Sequence, residues 1–99
     1  MKELKVTIDG VKYTAPPPRM KEFKEYLKML REIERTKDSE GCEDIDAKCR
    51  FIAALFRSPE VTPDTLDEVD LAEGVRLQQE YLDWFDQFFP RTEKNAKAR

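Results

Sequence analysis

The chain has 99 residues and a mass of 11.7 kDa, which suits one compact domain and leaves little room for a second. Its net charge of −3 argues against a generally basic nucleic-acid-binding face. The longest apolar run, residues 51–56, is far shorter than a membrane helix requires. We therefore expect neither a nucleic-acid nor a membrane partner, and the charged first residues, which lack the apolar core of a signal peptide, predict a cytoplasmic protein.

The first fifteen residues have the pattern of a β-hairpin. Leu4, Val6 and Ile8 alternate with polar residues before the dipeptide Asp9-Gly10, and the alternation resumes after it. Asp-Gly readily adopts the positive φ angles of a type I′ turn. A two-stranded hairpin is only marginally stable alone, so it must pack on the helices or pair with another subunit. We select Leu4, Val6 and Ile8 as candidate self-association residues.

The rest of the chain has helical periodicity. Three prolines at 16–18 predict a stiff connector, and apolar spacing predicts helices over about residues 20–35, 45–56 and 71–89. Residues 36–44 are predicted to form a loop, and Thr62-Pro63 predicts the start of a short helix. Asp70 and Glu73 fit an N-cap and capping box before the last helix.

These elements predict a mainly α fold in which an N-terminal β-hairpin (residues 1–15) is followed by a bundle of three to four helices. Residues 1–90 form the single helical domain of this prediction. Residues 91–99 carry four basic residues and one acidic residue, which is typical of a flexible tail.

The last predicted helix has two apolar stripes. One contains Leu71, Val75, Leu82, Phe85 and Phe89, with Gln78 interrupting it, and the other contains Leu77, Tyr81, Trp84 and Phe88. A helix on the surface of a small monomer needs only one apolar face. The helix is therefore either central to its own bundle or in contact with a partner. For the second alternative we select Leu77, Tyr81, Trp84 and Phe88 as candidate partner-binding residues.

The residues that usually perform catalysis at neutral pH are scarce. The chain has no His, its three glycines do not form a phosphate-binding loop, and Cys42 and Cys49 lack the spacing of a zinc site. Two reduced thiols and solvated carboxylates account for these residues better than a metal site. We predict a protein that is not an enzyme and has no catalytic, cofactor-binding or metal-binding residues, and the weaker alternative is a carboxylate metalloenzyme.

The layout resembles the tail assembly chaperones of long-tailed bacteriophages and prophages over about residues 1–89. The segments that carry the resemblance are the hairpin at 6–13, Tyr26-Leu27-Lys28-Met29-Leu30, the helix segment at 51–56, and the helix start at 62–66. The final acidic and aromatic helix completes the resemblance.

This resemblance implies a small helical protein that self-associates and escorts the tape-measure protein during tail assembly. It also implies, as in many members, a frameshifted extension that recruits the tail tube protein, and a site of action in the cytoplasm of the bacterial host. The alternative class is a non-enzymatic helical adaptor or inhibitor that binds one host protein.

Overall fold

The computed structural model describes residues 2–36 and 42–90. Its elements in chain order are strands β1 (Lys5–Ile8) and β2 (Val11–Thr14) and helices α1 (Met20–Arg35), α2 (Cys42–Phe56), α3 (Pro63–Asp67) and α4 (Leu71–Asp86). The predicted mainly helical fold with an N-terminal hairpin is confirmed. Most of the predicted loop, residues 37–41, and the predicted basic tail, residues 91–99, lie outside the described residues.

The hairpin has the predicted turn. Asp9 and Gly10 adopt φ angles of 53° and 80°, as a type I′ turn requires, and Ile8 pairs with Val11 in an antiparallel register. Past the strand end, the N–H of Ala15 donates to the C=O of Leu4 at 2.9 Å. The side chains of alternate β1 residues therefore point to one face, which covers the helices.

Helix α2 is the most buried element of the described chain. Seven of its fifteen residues are buried, compared with four of sixteen in α4 and two of sixteen in α1. Phe51 of α2 contacts Tyr26 of α1, and it also contacts Tyr81 and Phe85 of α4. Because α2 takes the centre, α1 and α4 lie on the outside of the bundle, and each has a face that α2 cannot cover.

The helix ends differ from the predictions in three places. Helix α1 has the predicted bounds, whereas α2 begins three residues earlier than predicted, at Cys42. Regular α4 ends three residues early at Asp86, although a turn continues it, because the N–H of Phe89 donates to the C=O of Asp86. The predicted capping box at Asp70 is wrong: Asp70 is the N-cap but its side chain forms no capping hydrogen bond, and Glu73 bonds to the hairpin instead.

A buried carboxylate fixes the connector to the start of α1. Glu22 is buried and accepts a 2.7 Å hydrogen bond from the N–H of Arg19. The guanidinium of Arg57, just after α2, lies 3.9 Å from the Glu22 carboxylate and donates to the C=O of Pro17. These bonds join the proline connector to both helices and set the position of the first turn of α1.

Candidate docking surface

The stripe predicted to bind a partner lies in the core of the chain. Leu77, Tyr81 and Trp84 are at most 3% exposed, and only Phe88 reaches the surface, where it is half-buried. The ring of Trp84 packs edge-on against Phe88 at 5.0 Å. Three of the four residues are therefore inaccessible to a partner in the folded chain, because they fill the space between α4 and the rest of the bundle.

The residues selected for self-association are also covered by the chain's own fold. Leu4 and Val6 are completely buried, and Ile8 is half-buried against the core. The pleat of β1 puts all three side chains on the face that covers the helices. They stabilise the chain's own fold, so a pairing of hairpins between subunits would have to use the backbone edge.

Four of the five residues of the other apolar stripe of α4 are on the surface, whereas the fifth, Phe85, is buried in the core. Leu71, Val75, Leu82 and Phe89 are all exposed, with Leu71 the most exposed at 83%. Their spacing of four, seven and seven residues places them on one side of the helix. Gln78, which interrupts this stripe, donates a 3.6 Å hydrogen bond to the Sγ of Cys49. The exposed stripe thus runs the full length of α4.

A second exposed apolar stripe lies on α1. Met20, Leu27 and Leu30 are exposed, and Phe23 is half-buried on the same side of the helix. Tyr26 and Met29 belong to the neighbouring side, which packs on the core. Helix α1 therefore has an apolar face wider than its own packing uses.

The two stripes meet where α1 begins and α4 ends. The rings of Phe23 and Phe89 are 5.8 Å apart, and those of Tyr26 and Phe85 are 5.3 Å apart. At this junction lies an open apolar cavity of about 480 Å³. Its lining residues are Pro18, Arg19, Met20, Phe23, Phe85, Phe88, Phe89 and Pro90.

Exposed apolar side chains are concentrated on these two helices. Of the nine large apolar side chains that are exposed among the described residues, seven belong to α1 or to α4 and the turn after it. We call these seven residues, together with Phe23, the α1–α4 apolar surface: Met20, Phe23, Leu27, Leu30, Leu71, Val75, Leu82 and Phe89. Exposed apolar side chains concentrated in this way are typical of an interaction site.

The opposite side of α4 is polar and holds the hairpin in place. Glu73 accepts a 3.0 Å hydrogen bond from the N–H of Thr7, and Arg76 donates at 2.6 Å to the C=O of Lys5. Arg76 also pairs with Glu73 at 2.8 Å and with Glu80 at 2.9 Å. The bond from Arg76, aided by that from Thr7, keeps the pKa of the Glu73 carboxyl below its ordinary value. These bonds fix β1 against α4 and leave the apolar stripe of α4 free.

Burial shifts the pKa values of two further titratable groups, Tyr81 and Cys49. Burial raises the pKa of the Tyr81 hydroxyl to about 12, and this hydroxyl lies 3.7 Å from the Sδ of Met29. Burial, together with the carboxylates of Asp67 and Asp46, raises the pKa of the Cys49 thiol and so disfavours its reactive thiolate. Across residues 2–36 and 42–90, no cluster of three or more potential ligands has the arrangement of a metal site.

A second cavity, of about 590 Å³, lies between the hairpin turn and the start of α4. Its carboxylates come from Asp9, Asp64, Glu68, Asp70 and Glu73. Solvated carboxylates at helix starts are common because they favour the positive end of the helix dipole.

Comparison with known proteins identifies the family to which this chain belongs. A family model described as phage tail chaperone protein matches residues 1–84, which include the hairpin, α1 to α3 and most of α4. The chain therefore belongs to the phage tail chaperone family, as the resemblance indicated. No curated protein and no solved structure matches it significantly. A chaperone family suggests a role other than catalysis. In the described parts of the chain, the helices are too short or too polar to cross a bilayer.

Both stripes of α4 were predicted from the sequence, but the structure buries most of the one selected for partner binding and exposes most of the other. The residue that distinguishes the exposed stripe from the buried one in the sequence is Gln78, because a polar interruption is easier to tolerate on a surface stripe than in a core. The stripe on α1 was missed as a docking surface. The sequence feature that indicates this surface is the width of the apolar face of α1. The apolar residues from Met20 to Ile33 cover more of the helix than one core contact needs.

Proposed function

We propose that this chain is a phage tail assembly chaperone that self-associates and that escorts the tape-measure protein. The α1–α4 apolar surface is the part of the chain that binds the tape-measure protein in this proposal. The single observation that carries the proposal is the concentration of exposed apolar side chains on α1 and α4 of a chain that belongs to a tail chaperone family. A chaperone of this kind needs accessible apolar surface and no active site, so we assign no catalytic step. It would act in the cytoplasm of the bacterial host.

The chemistry of the surface suits an amphipathic helix of the client. The stripe from Leu71 to Phe89 spans about 27 Å at the rise of an α-helix. A helix that presents apolar residues at positions i, i+3, i+4 and i+7 could lie along it and insert a large side chain beside Phe23 and Phe89. A long tape-measure protein with exposed apolar helix faces would then be protected from self-aggregation until the tube encloses it.

The two outer rims of the surface carry opposite charge. Lys24 and Arg31 lie beside the stripe of α1, and Asp83 and Asp86 lie beyond the stripe of α4, all of them exposed. Among the described residues, none of the four forms an ion pair. The favoured client helix therefore carries acidic residues along its edge over α1 and basic residues along its edge over α4.

The second partner of the proposal is the tail tube protein, recruited by a frameshifted extension of the chain. The support is the family membership and the A-rich codons that can encode Glu93-Lys94-Asn95. Mass spectrometry of the protein made in infected cells tests the proposal. A longer product that shares this N-terminal sequence supports it, and a single product ending at Arg99 contradicts it.

The test of client binding is aggregation of the tape-measure protein of the same phage, followed by light scattering while it is diluted from denaturant. The wild-type chain should suppress the scattering. The double variant Leu27→Ser/Leu82→Ser, which removes two side chains from the surface, should need about tenfold more protein for the same suppression. The matched control Lys21→Ser/Ala72→Ser changes exposed positions of the same helices outside the apolar stripes and should behave as wild type.

Two results would contradict the proposal. If the wild-type chain does not slow the aggregation at any ratio, the escort role is wrong, and capture of one host protein would then favour the adaptor alternative. If both double variants suppress scattering equally well, the client binds elsewhere on the chain. Circular dichroism of all variants checks that the helical content is unchanged.

A further inference from the structure

The hairpin has two backbone edges, and α4 closes only one of them. On β1, the outward N–H of Thr7 donates to Glu73, and the outward C=O of Lys5 accepts from Arg76. A fifth residue, Ala15, extends the pairing between the strands through its bond to Leu4. Because α4 side chains occupy the outward groups of β1, no further strand can add at that edge.

The edge of β2 is open. Tyr13 and Val11 pair with β1, so the alternation of an antiparallel ladder points the N–H and C=O groups of Lys12 and Thr14 away from the sheet. Both residues are exposed, and within residues 2–36 and 42–90 their outward backbone groups have no hydrogen-bond partner. On the same strand, the side chain of Val11 is 52% exposed. An open strand edge beside an exposed apolar side chain is a site for strand addition.

We propose that β2 pairs antiparallel with β2 of a second copy, so that two hairpins form one four-stranded sheet. This inference rests on the self-association part of the proposed function and specifies the contact. In this inference the backbone of β2 makes the contact between subunits. The side chains of Leu4, Val6 and Ile8 do not, because they pack within the fold.

The sequence of β2 selects one register for this pairing. Centred on Tyr13, the register sets Lys12 opposite Thr14 of the second copy and Val11 opposite Ala15. The outward backbone groups of Lys12 and Thr14 then bond to each other in two equivalent pairs. A register centred on Lys12 would set two like charges directly opposite each other, which is unfavourable. Charge and hydrogen-bond pattern therefore agree on a contact that is symmetric about Tyr13.

This pairing is isologous and closes at two copies. It covers Val11 and adds a short ladder, so the expected association is weak and depends on concentration. It leaves the α1–α4 apolar surface free, because the polar side of α4 that holds β1 is opposite its exposed stripe. Two client-binding surfaces in one dimer would raise the avidity for a client with repeated helical segments.

The decisive variant is Thr14→Pro. Proline removes the outward N–H of residue 14 without removing any bond between β1 and β2, and it is compatible with an edge strand. The matched control is Thr14→Val, which keeps the N–H. Light scattering behind size exclusion, over a broad range of protein concentration, should show wild type and Thr14→Val approaching twice the monomer mass while Thr14→Pro stays monomeric. The inference is overturned if Thr14→Pro associates like wild type, or if wild type is monomeric throughout.

A cross-link tests the register in a background that lacks the exposed Cys42 (Cys42→Ser). In the proposed pairing, the two Tyr13 Cα atoms face each other at about 4.5 Å, within disulfide range. Tyr13→Cys should therefore form a covalent dimer on mild oxidation. Lys12→Cys should not, because the two residues lie diagonally at about 7–8 Å. Equal cross-linking of both variants, or of Lys12→Cys alone, contradicts the register.

The same samples separate this inference from the proposed client function. Thr14→Pro should still suppress aggregation of the tape-measure protein at high concentration, whereas Leu27→Ser/Leu82→Ser should dimerise but need about tenfold more protein for the same suppression. Loss of dimerisation with client protection intact therefore supports the β2 contact. Dimerisation through β2 with no protection by any variant leaves the contact standing and rejects the client role.

Discussion

The two apolar faces of α4 are both hydrophobic in sequence but have opposite environments. One face, with Leu77, Tyr81 and Trp84, is closed over by the bundle, while the other, with Leu71 and Leu82, is open. The closed face is rich in aromatic rings, of which Tyr81 contacts Phe51 of α2, and the open face is mostly aliphatic. An apolar stripe thus becomes core or exposed surface according to which neighbouring helix covers it. Here α2 occupies the centre and covers one face.

The largest expected effect comes from Trp84→Ala, which empties a site on the closed face. The substitution should lower the free energy of unfolding by about 3–5 kcal/mol, because the transfer energy and the cavity term add. For a domain of marginal stability, most of the population would be unfolded at 37 °C. Urea unfolding followed by circular dichroism measures the loss. A folded Trp84→Ala that had lost only client binding would return Trp84 to the partner role first predicted for it.

Arg76→Ala should have an intermediate effect, because it removes the bond to the Lys5 carbonyl and the ion pairs with Glu73 and Glu80. We expect a loss of about 1 kcal/mol, since these groups are partly exposed. Hydrogen exchange should show the loss as faster exchange of the hairpin amides while α2 is unchanged. Arg31→Ala is the control, because Arg31 is an exposed arginine of α1 that forms no ion pair with another described residue. Equal exchange in the two variants would show that α4 does not anchor the hairpin.

A smaller effect follows from the pKa of Glu73, which the fold lowers from 4.5. Because the unfolded chain binds the proton more tightly, ionised Glu73 stabilises the fold fully above pH 4.5. That contribution is lost as the pH falls through the lower folded-state pKa. Thermal unfolding from pH 7 to pH 3 should therefore show a steeper decline for wild type than for Glu73→Gln. Parallel curves would mean that the Glu73 carboxylate does not stabilise the docked hairpin.

The smallest effect on stability is expected on the open face. Leu82→Ser should change the free energy of unfolding by no more than about 0.5 kcal/mol, because the side chain is exposed. Urea unfolding measures this directly beside Trp84→Ala. A loss approaching that of Trp84→Ala would show that the two faces of α4 are equally buried in solution.

Sequence periodicity located the helices and the hairpin because apolar spacing and turn residues are local signals. The Asp9-Gly10 turn and the Thr62 cap agree with the structure for that reason: Thr62 accepts from the N–H of Thr65, as its position predicts. The relative burial of the stripes could not be predicted in this way. It depends on the packing of α2 between α1 and α4, which no local pattern encodes.

The choice of partner for Glu73 was equally non-local. Spacing from Asp70 suggested a capping box, yet the structure gives the carboxylate the N–H of Thr7, which is 66 residues away in sequence. A tertiary hydrogen bond to an otherwise unpaired strand edge outcompeted the local one. The same competition determines which hairpin edge stays open, and so the proposed subunit contact could be derived only from the folded chain.

The most direct test of the docking surface is hydroxyl-radical footprinting of the chain with and without the tape-measure protein, at one chaperone concentration. Side chains that the client covers react more slowly, and mass spectrometry locates them. We predict protection of Met20, Leu82 and Phe89, with the reactivity of Val11 on the hairpin unchanged by the client. Protection of Val11 with Met20, Leu82 and Phe89 still reactive would contradict the assignment of the α1–α4 apolar surface to the client.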